Sequence, residues 1–338
     1  MSQSLLDTEE ALIAQMTEPS PQVREAVAQM GGDVMILGVG GKMGPTLAEL
    51  LVRAGASRVI GVSRFSDQGQ RDYLEHVGVE TVQADLLDEA ALAQLPQAPN
   101  IYLLAGHKFG ATGNEALTWA MNTWVPAQVL RRYPDSRIAY VSSGNVYAFE
   151  DTTGKGAAET DALGPIGEYA QSRLGGERLA EFLAQQQGTP LVTVRLFYAT
   201  ELRYGIIHDI AWKVYQEEPI DLAMAYVNQI WQGDANSYLA RILPLCSSPA
   251  TVVNMTGAAV LSVRQLAGQL GQLLDREPIF VGEQGATALL GDASHLLEQF
   301  GAPEIAPKQI VEWMAHWVRL GGASLGKPTK YESRRGEF

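Results

Sequence analysis

The sequence predicts an α/β fold: a doubly wound parallel sheet with helices on both faces, followed by a smaller C-terminal lobe. Three observations carry this. Six short apolar runs of strand length recur between residues 33 and 197. Helical stretches of roughly 8–20 residues separate most of them, and such alternation is what produces parallel strands. After residue 200 the rhythm changes to helix-rich segments with a few short strands.

A helical extension, residues 1–32, comes first, with Ser20 as an N-cap and Pro21 at the first helical position. "DVMILG" is the first strand and "KMGPTLAELLVRAG" the helix after it. "RVIGV", "VETVQA", "NIYLLAG", "RIAYVSS" and "LVTVRLF" continue the series, apolar on both sides as buried parallel strands are. The sheet domain is expected over 33–200 and the lobe over 201–325, interleaved with the sheet domain. In the lobe, "SVRQLAGQLGQLL" opens with Ser262 and Gln265 in capping-box spacing. Asp234 and Asp292 are expected to cap helices, and "PKQIVEWMAHWVRL" is a final amphipathic helix. Residues 326–338 form a polar tail, expected to be disordered or to pack on a partner subunit.

Composition narrows the function. The 338 residues are 46% hydrophobic and 19% charged, as in ordinary globular proteins. A net charge of −13 argues against nucleic acid and anionic membranes as partners. Cys246 is the only cysteine, which excludes an intrachain disulfide and a cysteine metal cage, and no metal is expected. The first residues are acidic where a signal peptide needs a basic start, and no run reaches the roughly 18 apolar residues of a membrane span. The expected location is the cytoplasm.

The chemistry begins after the first strand. "LGVGGKMG" sets Gly38, Gly41 and Gly44 at a strand-to-helix turn, with Lys42 and Met43 between the last two. Glycines there let the backbone approach a pyrophosphate held at the helix N-terminus. At the end of the second strand, where an acid usually binds the ribose of NAD, stand Ser63 and Arg64. A hydroxyl and a guanidinium suit a 2′-phosphate, so NADP is favoured. NAD stays possible, since Asp67 is near enough in sequence to reach the ribose. Further on, "GEYAQSRLGGERL" places Tyr169 and Arg173 one helical turn apart, a phenol beside a fixed cation.

The glycine pattern together with "ADLLDEAAL", "YVSSGNVY", "EYAQSRLGGERL" and "VRLF" resembles the extended short-chain dehydrogenase/reductase family, in its NAD-dependent epimerase/dehydratase branch. The resemblance implies a Rossmann-type domain with a smaller C-terminal substrate-binding lobe, acting on sugars and often on their nucleotide conjugates. It implies that Asp85, followed by Leu86, contacts the adenine and that Asn122 lies near the active site. Ser143 would hydrogen-bond the reacting oxygen and Tyr169 would be the catalytic acid/base. It also implies a homodimer formed through the helices that hold Asn122 and Tyr169.

Departures from the family pattern bear on mechanism. Arg173 stands where the family usually has lysine; it keeps the charge and can bind ribose hydroxyls, but cannot relay a proton. Lys108 and His107 follow the fourth strand, where they would line the cavity or be solvated loop residues. Lys108 would supply the missing ammonium or bind a substrate carboxylate, and His107 would be an extra base. In "LFYATELRYG", Arg203 and Tyr204, with His208 beyond, are candidates for an anionic substrate group, surface pairing being the alternative for Arg203. Asn145 is a further substrate contact, and Gly144–Asn145 in place of an acid weakens a dehydratase reading. Trp231 stacks on a sugar or, more simply, fills the core. The leading expectation is a sugar or sugar-acid epimerase working by transient hydride transfer. The alternatives are an NADP-dependent dehydrogenase or reductase, and a dinucleotide sensor without catalysis.

Overall fold

The computed structural model describes residues 5–108 and 110–337. Its centre is a seven-stranded sheet with strands β1 (Val34–Leu37), β2 (Val59–Ser63), β3 (Glu80–Gln83), β4 (Asn100–Leu103), β5 (Arg137–Ser143), β6 (Leu191–Leu196) and β7 (Thr251–Met255). The order is β7-β6-β5-β4-β1-β2-β3, parallel throughout. Strand order reverses between β1 and β4, so a crevice opens at their C-terminal ends, where such sheets bind ligands.

All six strands read from the sequence are present. The seventh is a difference: Thr251–Met255 lies within the stretch expected for the lobe, yet it pairs with β6 at the sheet edge. Asn254 fastens it there, accepting from Tyr147 Oη at 2.9 Å and donating to the Ala157 carbonyl at 2.8 Å.

Alternation along β1 sets the two cores. Val34 and Ile36 face one side with Val23, Leu47 and Leu51. Met35 and Leu37 face the other with Val129, Leu130 and Ala180. The first side is covered by α2 (Pro21–Met30) and α3 (Gly44–Arg53), preceded by α1 (Glu9–Thr17). The Ser20 side chain accepts from the Val23 N–H at 3.3 Å, as the cap requires. After β2 and β3 come α4 (Gln68–His76) and α5 (Glu89–Gln94). Next are α6 (Glu115–Trp119), a π-helical turn over Ala120–Trp124, α7 (Val125–Arg132) and α8 (Gly167–Gln187).

A third core belongs to the C-terminal segment, built from α9 (Ile206–Tyr215), α11 (Val263–Leu274) and α13 (Pro307–Arg319), whereas α10 (Gln232–Arg241) and α12 (Ser294–Phe300) pack into the sheet core on the Val34 side. Trp231 is part of the third core, packed 5.4 Å from Trp313 and donating to Gln15. Ser262 caps α11 as expected.

Two caps differ. Asp234 lies inside α10, and its carboxylate accepts the Glu304 and Ile305 N–H groups, both at 3.1 Å. Asp292 accepts from Ser294 in the turn before α12, where Ala293 holds the N-cap. The described part of the tail, 326–337, makes contacts with the chain's own lobe. Thr329 donates twice to Asp209, Glu332 pairs with Lys213, and Arg334 donates to the Thr287 carbonyl and covers the Phe149 ring. Its polar residues are spent on the chain's own lobe. Among the described residues no helix is long and apolar enough to cross a membrane.

Candidate active site

The glycine loop between β1 and α3 is shaped for close approach. Gly38 has φ +90°, and a Cβ on it would lie 2.6 Å from the Ala105 nitrogen. A Cβ on Gly44 would lie 2.1 Å from the Val39 carbonyl oxygen. Neither position tolerates a side chain. The first turn of α3 carries no acid and its N-cap, Met43, makes no side-chain cap bond. Such a helix end presents N–H groups to an anion, so the cradle formed by Gly38, Gly41, Lys42, Met43 and Gly44 fits a dinucleotide diphosphate.

At the end of β2, Ser63 Oγ accepts from the Phe65 N–H and packs against Gly40, where a Cβ would come within 2.5 Å of it. Arg64 is exposed, and its charge, after burial, is the second cause of a lowered His107 pKa. Asp67 caps α4 by accepting from the Gly69 and Gln70 N–H groups, which occupies one of its oxygens. Asp85 accepts from the Leu87 N–H in a tight turn after β3, and Leu86 is buried.

A cavity of about 200 Å³ opens where β1, β4, β5 and β6 end, bounded by this loop and by α8. Ser143, the last residue of β5, accepts from the Asn145 N–H at 3.2 Å and donates to Asn145 Oδ1 at 3.1 Å. Tyr169 sits in the first turn of α8, which starts on Gly167 at φ +81°, and is 9% exposed. Both tyrosine and serine line the cavity.

One turn along α8, Arg173 is buried. Its Nη2 donates to the Val141 carbonyl and its Nη1 to the Ala105 carbonyl at 3.4 Å, with the guanidinium 5.1 Å over the Tyr140 ring. The group thus ties together the ends of β4 and β5. A Cβ on Gly106 would fall 2.6 Å from its Nη1, so the glycine makes room for it.

Ammonium groups enter from two other elements. Lys108 Nζ lies 5.7 Å from the Tyr169 ring centre and 5.8 Å from that of Tyr198. Burial lowers its pKa to about 8, with Asp209 opposing. Lys42, from the glycine loop, donates to the Ala199 carbonyl and stands 4.3 Å over the Tyr204 ring. Burial lowers its pKa to about 7; Glu201 opposes, while Lys108 and Arg203 add to the fall. The side chain therefore reaches the wall beyond β6, although its backbone belongs to the cradle.

The remaining candidates fall around this centre. Asn122, in the π turn, accepts from the His107 N–H and donates to the His107 carbonyl and Ser172 Oγ. It clamps the loop after β4 onto α8, a use to which π turns are often put. The His107 ring bonds Thr118 at 3.0 Å. Tyr204 lines the cavity, whereas Arg203 and His208 are not among its lining residues. Arg203 is held by Glu201 and Glu9, and His208 by Asp209. Phe197, Tyr198 and Ser142 also line the cavity and were not singled out from the sequence; the rule that ligands meet strand C-termini would have found them.

The NAD dependent epimerase/dehydratase family matches residues 34–200. No curated protein sequence matches the chain. Among solved structures, an epimerase from Methanothermobacter thermautotrophicus shares 18% identity at a TM-score of 0.74, over 89% of this chain and 96% of that one. UDP-glucose 4-epimerase of Thermotoga maritima, solved with UDP-glucose, shares 16% at 0.72, over 85% and 98%. UDP-glucuronic acid 4-epimerase of Bacillus cereus, in complex with NAD, shares 16% at 0.69, over 85% and 98%. These similarities establish a common fold. Residues 34–200 of the chain thus form a domain of the NAD dependent epimerase/dehydratase family.

Proposed function

We propose that the chain is an NAD(P)-dependent epimerase of a sugar or sugar acid. The observation that carries this is the meeting of Ser143 and Tyr169 in one cavity beside the glycine cradle. In this reading Tyr169 Oη takes the proton of a substrate hydroxyl and later returns it, and Ser143 Oγ hydrogen-bonds the same oxygen. The nicotinamide, when bound, supplies the hydride acceptor. Structural neighbours solved with UDP-glucose and with NAD support the substrate and cofactor classes.

The test mixes the purified protein with NADP or NAD and a panel of sugars, uronates and lactones, following nicotinamide absorbance and product stereochemistry. An inverted centre with no net reduction of cofactor is expected. Net reduction makes the chain a dehydrogenase; bound cofactor with neither outcome makes it a sensor and ends this reading.

NADP is the proposed cofactor, supported by Ser63 and Arg64 at the end of β2 and by the capping duty of Asp67. Arg64→Ala is expected to weaken NADP about 10-fold and leave NAD within about 2-fold, measured by fluorescence titration. Equal loss for both cofactors would take Arg64 away from the 2′-phosphate. Arg173→Met is expected to slow turnover by about 10-fold or more, and Arg173→Lys, which keeps the charge, by less. Equal turnover in all three forms would remove Arg173 from the mechanism.

Exposed Trp119, Trp124, Leu179 and Phe182 on the packed α6–α8 region support a homodimer formed there. A reducing, cytoplasmic setting suits a chain whose single cysteine is Cys246.

A further inference from the structure

We propose that Lys42 and Lys108 form a two-cation subsite that binds the anionic group, a carboxylate or phosphate, of the molecule held beside Tyr169. This rests on the reading above for the identity of the site and adds the charge of its substrate.

The two ammonium groups come from different elements, the glycine loop and the loop after β4, and converge on one cavity. Each lies against aromatic rings of its wall: Lys42 over Tyr204, and Lys108 near Tyr169 and Tyr198. With Arg173 they give the lining three cations and, among the described residues, no carboxylate. The nearest acids, Glu201 and Asp209, stand behind the wall, where they offset part of the charge of Lys42 and Lys108 while also accepting from other donors. Glu201 accepts from Arg203, and Asp209 accepts from Thr329.

Three positive charges in a half-closed, aromatic-walled space are costly unless an anion joins them. Burial expresses that cost as lowered lysine pKa values, and at Lys42 the charges of Lys108 and Arg203 add to it. The diphosphate of a dinucleotide has its own cradle of main-chain N–H groups at the start of α3. Lys42 Nζ reaches away from that cradle to Ala199 and Tyr204. The geometry therefore assigns the pair to the substrate.

The groups facing Lys42 are Glu201, Lys108, Arg203 and Tyr204, and those facing Lys108 include Asp209, Tyr169 and Tyr198. An anion raises both lysine pKa values, so binding takes up protons. Affinity is greatest with both lysines charged and falls as pH rises through about 7 to 8.

Calorimetry on the NADP-loaded protein tests this with glucuronate, galacturonate and inorganic phosphate, against neutral glucose and galactose. At least one anionic probe is expected to bind about 10-fold or more tighter than the neutral sugars, weakening from about pH 6.5 to 9. The Lys42→Gln/Lys108→Gln pair is expected to lose that preference while NADP affinity changes less than about 3-fold; Lys42→Arg/Lys108→Arg retains it. Parallel loss of NADP affinity would assign the lysines to the cofactor diphosphate and overturn the proposal. So would equal binding of charged and neutral probes, no binding of any anion, or a flat pH profile in the parent protein, which needs no variant to fold. Anion binding without turnover leaves the subsite standing and removes the enzymatic reading instead.

Discussion

Tyr169→Phe is expected to lower turnover about 10²–10⁴-fold, the usual contribution of a positioned acid/base, with cofactor affinity nearly unchanged. The substitution removes one oxygen from a ring that is otherwise buried at the head of α8, against Ala111 and under the Lys108 ammonium. Packing survives, and the lost hydroxyl costs the fold only about 1 kcal/mol. What disappears is the group that receives the substrate proton. Lys108 lies beside the ring, and Arg173 sits one turn along the same helix. Turnover numbers, cofactor titration and thermal melting of the variant separate the effects. A turnover within about 10-fold of the parent, with a normal melt, would take the proton transfer away from Tyr169.

The parts of this site that were legible in the sequence are those fixed by local chemistry. A glycine that must adopt positive φ and an apolar run of strand length each declare themselves within a few residues, and Tyr169 stands out by opening a helix 26 residues after the strand-ending Ser143. The parts that were not legible depend on partners remote in the chain. Lys42 was readable as a member of the phosphate loop, but its side chain is directed by Ala199 and Tyr204, more than 150 residues on. Arg203 looked available for an anion because Glu9, one of the two acids that hold it, lies 194 residues away. Strand β7 was missed for the same reason. Its apolar residues are ordinary, and only its docking beside β6 distinguishes it from the short strands of the lobe. Periodicity reveals elements, whereas pairing is a property of the assembled sheet.

Glu177→Ala is expected to destabilise the protein by about 3–5 kcal/mol, the loss typical of breaking a buried ion pair from one side. Glu177 follows Arg173 by one turn and Tyr169 by two, on the same face of α8. Its carboxylate receives Nε and Nη2 of Arg195 on β6, the Nη2 contact at 2.9 Å, and both side chains are only 4% exposed. Arg195 also donates to Tyr147 Oη at 2.7 Å and stacks on that ring. Removing the acid leaves the buried guanidinium without its paired carboxylate. The pair joins α8 to the strand that leads into Phe197 and Tyr198, so it fixes the tyrosine's helix against the opposite wall of the cavity. Arg195→Met/Glu177→Leu, which removes both charges, should recover at least half of the lost stability in denaturant unfolding. Its turnover should nevertheless stay below the parent's, since the tie between α8 and the strand leading to Phe197 and Tyr198 is then gone. A Glu177→Ala loss below about 1 kcal/mol, or a double variant no more stable than the single one, would show that the ion pair does not hold these elements together.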